Sequence, residues 1–213
     1  NIGTMKWDGK IPFKHTEKLS IKRSDDFDED CLAPQWQWNY QPRKDYFSLT
    51  ERPGWLRLKA YRPLETNNLL KAGNTLTQRT FRKQNNDVTI KMDISNMQDG
   101  QKNGLCHFSS QHSAIGIVKE EDACYLEYRK NGNITKGIQI HSEFVWFRTE
   151  WGMDGKSQYY YSLDGDNFLP FGEKYQLTWG NYRGDRIGIY CFNDKKETGS
   201  VDAVSYTHLR AHE

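Results

Sequence analysis

The chain has 213 residues, 36% of them hydrophobic and 14% aromatic, and its 30 basic and 28 acidic residues leave a net charge of +2. That aromatic content excludes a disordered chain, and the lack of any apolar run of membrane-spanning length excludes a helical membrane protein. A near-neutral balance with no basic block also argues against nucleic acid as a partner.

From the N-terminus, residues 1–23 mix Lys, Gly and Pro with single apolar residues and show no period, so they read as a linker or an extended arm. Starting at Asn1 with no signal-type segment, the chain reads as part of a longer protein. Residues 24–206 read as one all-β domain. Short alternating runs are punctuated by Gly, Asn and Asp about every ten residues, the pattern of a β-sandwich. The alternation predicts strands at 35–39, 46–50, 55–60, 76–81, 87–94, 104–109, 114–119, 124–130, 137–141, 144–151, 157–163, 186–192 and 200–206. No amphipathic helix is predicted. Asn131-Gly132, Asp99-Gly100 and Asp164-Gly165 supply turns that tolerate positive φ. Some thirteen strands favour two stacked antiparallel sheets over a small barrel. The predicted core includes Leu56, Leu58, Phe147, Tyr159, Tyr161, Leu163, Ile187 and Ile189.

Strand parity separates core from surface, because successive side chains point to opposite faces. Tyr159, Tyr161 and Leu163 form the apolar parity of one strand, leaving Gln158 and Tyr160 outside; in the preceding strand Trp146, Arg148 and Glu150 share the outer parity. Two neighbouring strands would then present rings, charges and an amide together, a combination suited to polar rings. Cys31, Cys106, Cys124 and Cys191 are far apart with no C-x-x-C spacing, which disfavours structural zinc. Cys106 and Cys124 read as small strand residues in preference to a disulfide.

The segments Asp25-Asp26-Phe27-Asp28, Pro34-Gln35-Trp36-Gln37-Trp38-Asn39, Ser48 to Leu58, Asn74-Thr75-Leu76-Thr77-Gln78-Arg79 and Tyr161-Ser162-Leu163-Asp164-Gly165 occur in this order. Together they resemble the C-terminal concanavalin A-like β-sandwich of glycoside hydrolase family 43 β-xylosidases, also classed as carbohydrate-binding module family 91. The resemblance covers about residues 25–202. It implies a concanavalin A-like jelly roll that serves as a noncatalytic accessory module, recognises xylan or xylo-oligosaccharides, and accompanies a five-bladed catalytic propeller. The family's catalytic carboxylates lie on that propeller, so none is carried over here. The family usually ends in V-D-F-D-x-F, whereas this chain has Val201-Asp202-Ala203-Val204-Ser205-Tyr206 and then a polar tail, 207–213, which reads as foreign or disordered. A bacterial periplasmic or secreted setting is expected ahead of a cytoplasmic one.

Sugar-binding candidates are therefore Trp146, Arg148, Glu150, Gln158 and Tyr160, with Arg79, Trp36 and Trp38 as further ones. Trp36 and Trp38 either offer a stacking platform or pack inward, and Arg79 either reaches an open face or forms a salt bridge. Trp179 and Tyr182 lie in a loop between glycines, and the resemblance implies that an aromatic there can reach the catalytic pocket of the propeller. Asp28 and Asp202, near the two ends of the domain, form a candidate structural calcium site. Two other readings stay open: a stand-alone concanavalin-like glycoside hydrolase, which needs a facing carboxylate pair, and a purely structural domain that completes the propeller's active site.

Overall fold

The alternating sequence of β5 (Asn85–Asp93) sets the pattern of the whole fold: Val88, Ile90 and Met92 are fully buried, while Asp87, Thr89 and Lys91 point away from the core. The computed structural model describes residues 23–80, 84–178 and 184–210. Fourteen further strands accompany β5. They are β1 (Gln37–Trp38), β2 (Phe47–Ser48), β3 (Leu56–Lys59), β4 (Thr75–Arg79), β6 (Gln101–Phe108), β7 (His112–Glu120), β8 (Ala123–Lys130) and β9 (Asn133–Ile140). Then come β10 (Phe144–Gly152), β11 (Lys156–Ser162), β12 (Leu169–Pro170), β13 (Tyr175–Gln176), β14 (Arg186–Asn193) and β15 (Ser200–Arg210). Among the described residues the helices are two short 3-10 turns, Lys44–Tyr46 and Leu69–Lys71.

Two antiparallel sheets stack. One runs β1-β4-β14-β6-β7-β8-β9; the other runs β12-β11-β10-β5-β15-β3-β2, with β13 also pairing β11. The chain therefore forms the all-β, two-layer antiparallel sandwich expected for a concanavalin A-like jelly roll. Leu56, Leu58, Val88, Ile90, Phe147 and Tyr159 meet Leu76, Leu105, Ile115, Ile187 and Ile189 across the interior, all of them fully buried. Removing such a ring as Phe147 typically costs about 3–5 kcal/mol. A buried polar network links the sheets: the Tyr159 hydroxyl donates to Ser113 O at 2.8 Å and accepts from His107 N at 2.9 Å. His107 Nε2 and Thr149 Oγ1 lie 2.9 Å apart.

Local turn chemistry fixes the register. Asn131 (φ 49°) and Gly132 (φ 90°) form the two-residue link between β8 and β9, matching the left-handed pair that hairpin twist favours. All thirteen predicted strands have counterparts; β12 and β13, two residues each, are too short to leave an alternation in the sequence.

One core expectation is corrected. Leu163 is 43% exposed rather than core. Strand β11 stops at Ser162, whose hydroxyl oxygen accepts from the Asp164 and Gly165 amides and turns the chain outward. Strand β15 continues past residue 206 to Arg210, its backbone paired with β5 through Thr207↔Thr89 and Arg210↔Asn86 after a register shift. All four cysteines are free thiols, with Cys106 and Cys191 buried, Cys124 half-buried and Cys31 exposed. Apart from Arg23, the arm expected over 1–23 lies outside the described residues, as do residues 211–213 of the tail.

Candidate functional site on the eight-stranded sheet

Register brings the outer-parity residues of three strands side by side. Arg148 of β10 stands opposite Tyr160 of β11 and Thr89 of β5; Glu150 stands opposite Gln158 and Asp87; Trp146 stands opposite Ser162 and Lys91. Cross-strand partners share a face, so these side chains form three rows on the solvent side of the sheet. A cleft of ≈ 750 Å³ opens over the Arg148 and Glu150 rows, lined by Asp87, Arg148, Glu150, Gln158, Tyr160 and Lys174 among others.

The floor is held in place by its own hydrogen bonds. Arg148 Nε donates to Thr89 Oγ1 at 2.9 Å, and its guanidinium carbon lies 3.7 Å from the centre of the Phe168 ring. Gln158 Nε2 donates to Gly172 O at 3.2 Å, tying the segment after β12 to the edge of the cleft. Ser162 and Asp164 organise the next turn: Asp164 Oδ1 accepts from the Asp166 and Asn167 amides at 2.9 and 2.8 Å. Hydrogen bonds from Asn167 come first among the causes that hold the Asp164 carboxyl below the usual range. This turn sets Gly165, at φ +87°, so close to Trp146 that an added Cβ would meet the indole at 3.0 Å. One side of Trp146 is therefore covered, and Tyr160 is the half-exposed ring of the cleft lining, which also includes the buried Trp151.

Electrostatics divide the face. Burial pushes the Asp87 carboxyl up and neighbouring Glu150 adds to it, against the opposing pull of Arg148. Burial also raises the Tyr160 hydroxyl, followed by the charge of Glu150. The Tyr160 hydroxyl and the Arg148 guanidinium can donate, while the Asp87 and Glu150 carboxylates accept. Such a mixed set can grip vicinal hydroxyls.

The predicted site residues thus separate. Trp146, Arg148, Glu150, Gln158 and Tyr160 come together as parity implied. Trp36 does not join them: it is 7% exposed, its Nε1 donates to Asp25 Oδ2 at 2.7 Å, and its ring meets Tyr206 edge-on at 4.8 Å. Trp38 packs on the core and tilts against Phe47, 4.8 Å between centroids, so it is not an open platform either. Arg79 is exposed at the end of β4, beside Arg186 in the other sheet, and cannot share this face. Trp179 and Tyr182 lie outside the described residues.

Of the expected calcium pair, Asp202 lies against arginines and Asp28 lies on the surface. Asp202 is 2% exposed, and its oxygens accept from Arg57 Nε and Nη2, each at 2.8 Å, and from Arg52 Nη1 at 2.9 Å. Two guanidinium groups already occupy the carboxylate that a cation would need, and Asp28 is exposed. No group of three or more His, Cys, Asp or Glu suited to a metal occurs among the described residues.

Sequence reasoning missed Asp87, Thr89 and Lys91 as site residues. Their signal was present as the polar parity of β5, alternating with Val88, Ile90 and Met92. The sequence does not say that β5 pairs with β10, fifty residues further along.

Comparison with known proteins agrees with this architecture. Residues 24–207 match the family described as the beta xylosidase C-terminal concanavalin A-like domain. A beta-xylosidase from Formosa agariphila is 34% identical over 219 residues, covering 93% of this chain and 37% of its own length. A putative beta-xylosidase from Xylanibacter ruminicola is 30% identical, covering 84% and 32%. The chain spans about a third of the length of these curated relatives. Among solved structures, a bifunctional GH43-CE protein from Bacteroides eggerthii superposes with a TM-score of 0.80 at 27% identity, over 89% of this chain and 26% of the other.

Proposed function

The chain belongs to the family of β-xylosidase C-terminal concanavalin A-like domains, and from that premise we propose that it holds xylan or xylo-oligosaccharides on the outer face of its eight-stranded sheet. It would do so as a noncatalytic accessory module, for the benefit of a family 43 catalytic propeller. The observation that carries this reading is the cleft over β5, β10 and β11, in which the Tyr160 ring is flanked by Arg148, Glu150, Gln158 and Asp87. A pyranose lays its C–H face on an aromatic ring and leaves its hydroxyls at the edge, where these groups donate and accept. Xylose lacks an exocyclic hydroxymethyl group, so a cleft floored by one ring and bounded by the Gly172 segment suits it. The relatives' names support the sugar class, and the grouping of the parity-matched residues supports the place.

Affinity electrophoresis of the 213-residue chain tests the proposal directly. Mobility should fall in gels containing xylan or arabinoxylan and stay unchanged in mannan or β-glucan. Equal mobility in all four gels would leave the chain as a purely structural partner of the propeller and overturn the reading.

A further inference from the structure

Beyond the cleft, the same outer face carries a second cluster, of rings gathered around Lys91, with the Arg52 guanidinium 3.9 Å from the centre of the Trp55 ring at its border. Lys91 rises from β5 between Trp146 on β10 and Val204 on β15. Its Nζ lies 4.4 Å from the centre of the Phe144 ring, 4.9 Å from Trp146 and 5.8 Å from Trp55. Trp55 and Phe144 are themselves 6.4 Å apart, tilted by 40°. All four side chains are half-buried, so each keeps surface in contact with solvent.

The electrostatic setting of this lysine differs from that of other lysines of the domain. Lys59 pairs with Glu51, Lys102 with Asp194 and Lys136 with Glu120. The carboxylates nearest to Lys91 in the sheet register are taken: Asp93 by Arg52 at 2.6 Å, and Asp202 by Arg57 and Arg52. Lys91 is stabilised instead by ring faces, which attract a cation without neutralising it. A half-exposed ammonium among three rings matches a ligand with an apolar face and one negative charge.

We infer that Lys91, Trp55, Phe144 and Trp146 form a subsite for a uronic-acid substituent, a pyranose that carries a carboxylate. The inference rests on the reading that this face binds xylan, and it specifies which decorated xylan the face prefers. A uronic acid keeps the C–H surfaces that stack on aromatic rings, and its carboxylate accepts from the ammonium. The face is polarised in the direction this requires. Asp87 and Glu150 lie at the other end, and four strand residues separate Asp87 from Lys91, about 13 Å along β5. That exceeds a Debye length of about 8 Å at physiological salt, so the acidic end does not repel a carboxylate held at Lys91. A xylan backbone over Tyr160 would place an acidic branch toward Lys91, and a neutral branch would gain only the rings.

The test is calorimetric titration of the 213-residue chain with a glucuronic-acid-substituted xylo-oligosaccharide and with the same oligosaccharide after carboxyl reduction. The acidic form should bind about three- to tenfold more tightly at physiological salt, the range of a partly exposed charge-assisted contact, and the preference should shrink in 0.5 M NaCl. Lys91→Met should erase the preference, whereas Lys91→Arg should retain it. Equal binding of the two oligosaccharides by the parent chain overturns this inference alone. A preference that survives Lys91→Met does the same. Binding of neither overturns the xylan reading as well. The comparison on the parent chain needs no variant, so a folding defect in either substitution leaves it decisive.

Discussion

Replacing Asp202 with Asn tests whether the end of the domain is fastened by arginines rather than by a metal. The carboxylate is 2% exposed and accepts three hydrogen bonds from Arg57 and Arg52; hydrogen bonds to Asp202 are in turn the largest cause that raises both guanidinium groups. Removing one partner from a buried ion pair costs about 3–5 kcal/mol. Here the arginine side chains are 23% and 32% exposed and keep Glu51 and Asp93 as partners, so solvent and these carboxylates offset part of the loss. A cost of about 2–3 kcal/mol follows, which lowers the melting temperature by about 4–12 °C for a domain of this size. Differential scanning calorimetry of parent and variant, each with and without EDTA, reads both halves of the argument. The variant should melt lower, and the chelator should move neither curve, since a metal bound to the folded state would stabilise it by mass action. An Asp202→Asn variant as stable as the parent, or a parent curve that drops with EDTA and recovers with calcium, would refute the reasoning.

Acid should weaken the fold before its carboxylates titrate. Burial lowers the folded-state pKa of His107 to about 3 and of His112 to about 4, below the ordinary 6.5. The unfolded chain therefore takes up protons first, so stability is complete above pH 6.5 and is lost as pH falls, at up to about 1.4 kcal/mol per pH unit for each histidine. Urea midpoints measured from pH 7 to 4.5 should decline, and a flat profile would show that these rings are not held neutral. Trp36→Phe should cost about 1–3 kcal/mol by leaving the Asp25 carboxylate short of a donor, while retention on xylan stays as in the parent; weaker retention at unchanged stability would restore Trp36 as a platform. Although Asp87 and Glu150 are neighbouring carboxylates in a cleft, they stand side by side on its floor rather than facing across a bond. No reducing sugar should be released from xylan, and turnover abolished by Glu150→Gln would make the chain an enzyme.

Much of this fold was legible because its strands alternate so regularly. The outer parity of β10 and β11 was readable from Val145 and Phe147, both fully buried, and from the buried Tyr159 and Tyr161 that alternate with Gln158 and Tyr160. The Asn131-Gly132 turn was equally plain, because two positive φ angles in succession demand such residues. What failed depended on partners distant in the chain. Trp36 sits by a two-residue strand with too little alternation to orient it, and its burial is decided by Asp25 and Tyr206. Arg79 carries the right chemistry on the wrong sheet, and strand parity is silent about which sheet a strand joins. Asp202 reads as a cation ligand until Arg52 and Arg57 are brought against it from 145 or more residues away.

The central claim is that the cleft over β5, β10 and β11 holds the sugar, and Tyr160→Ala tests it most directly. The ring is half-exposed and outside the core, so its loss should leave the melting temperature nearly unchanged. By analogy with base stacking on aromatics, losing it should weaken xylo-oligosaccharide binding by about 1–3 kcal/mol, or roughly five- to 150-fold in calorimetric titration. A variant that folds like the parent and binds as tightly would contradict the account and place the site elsewhere on the domain.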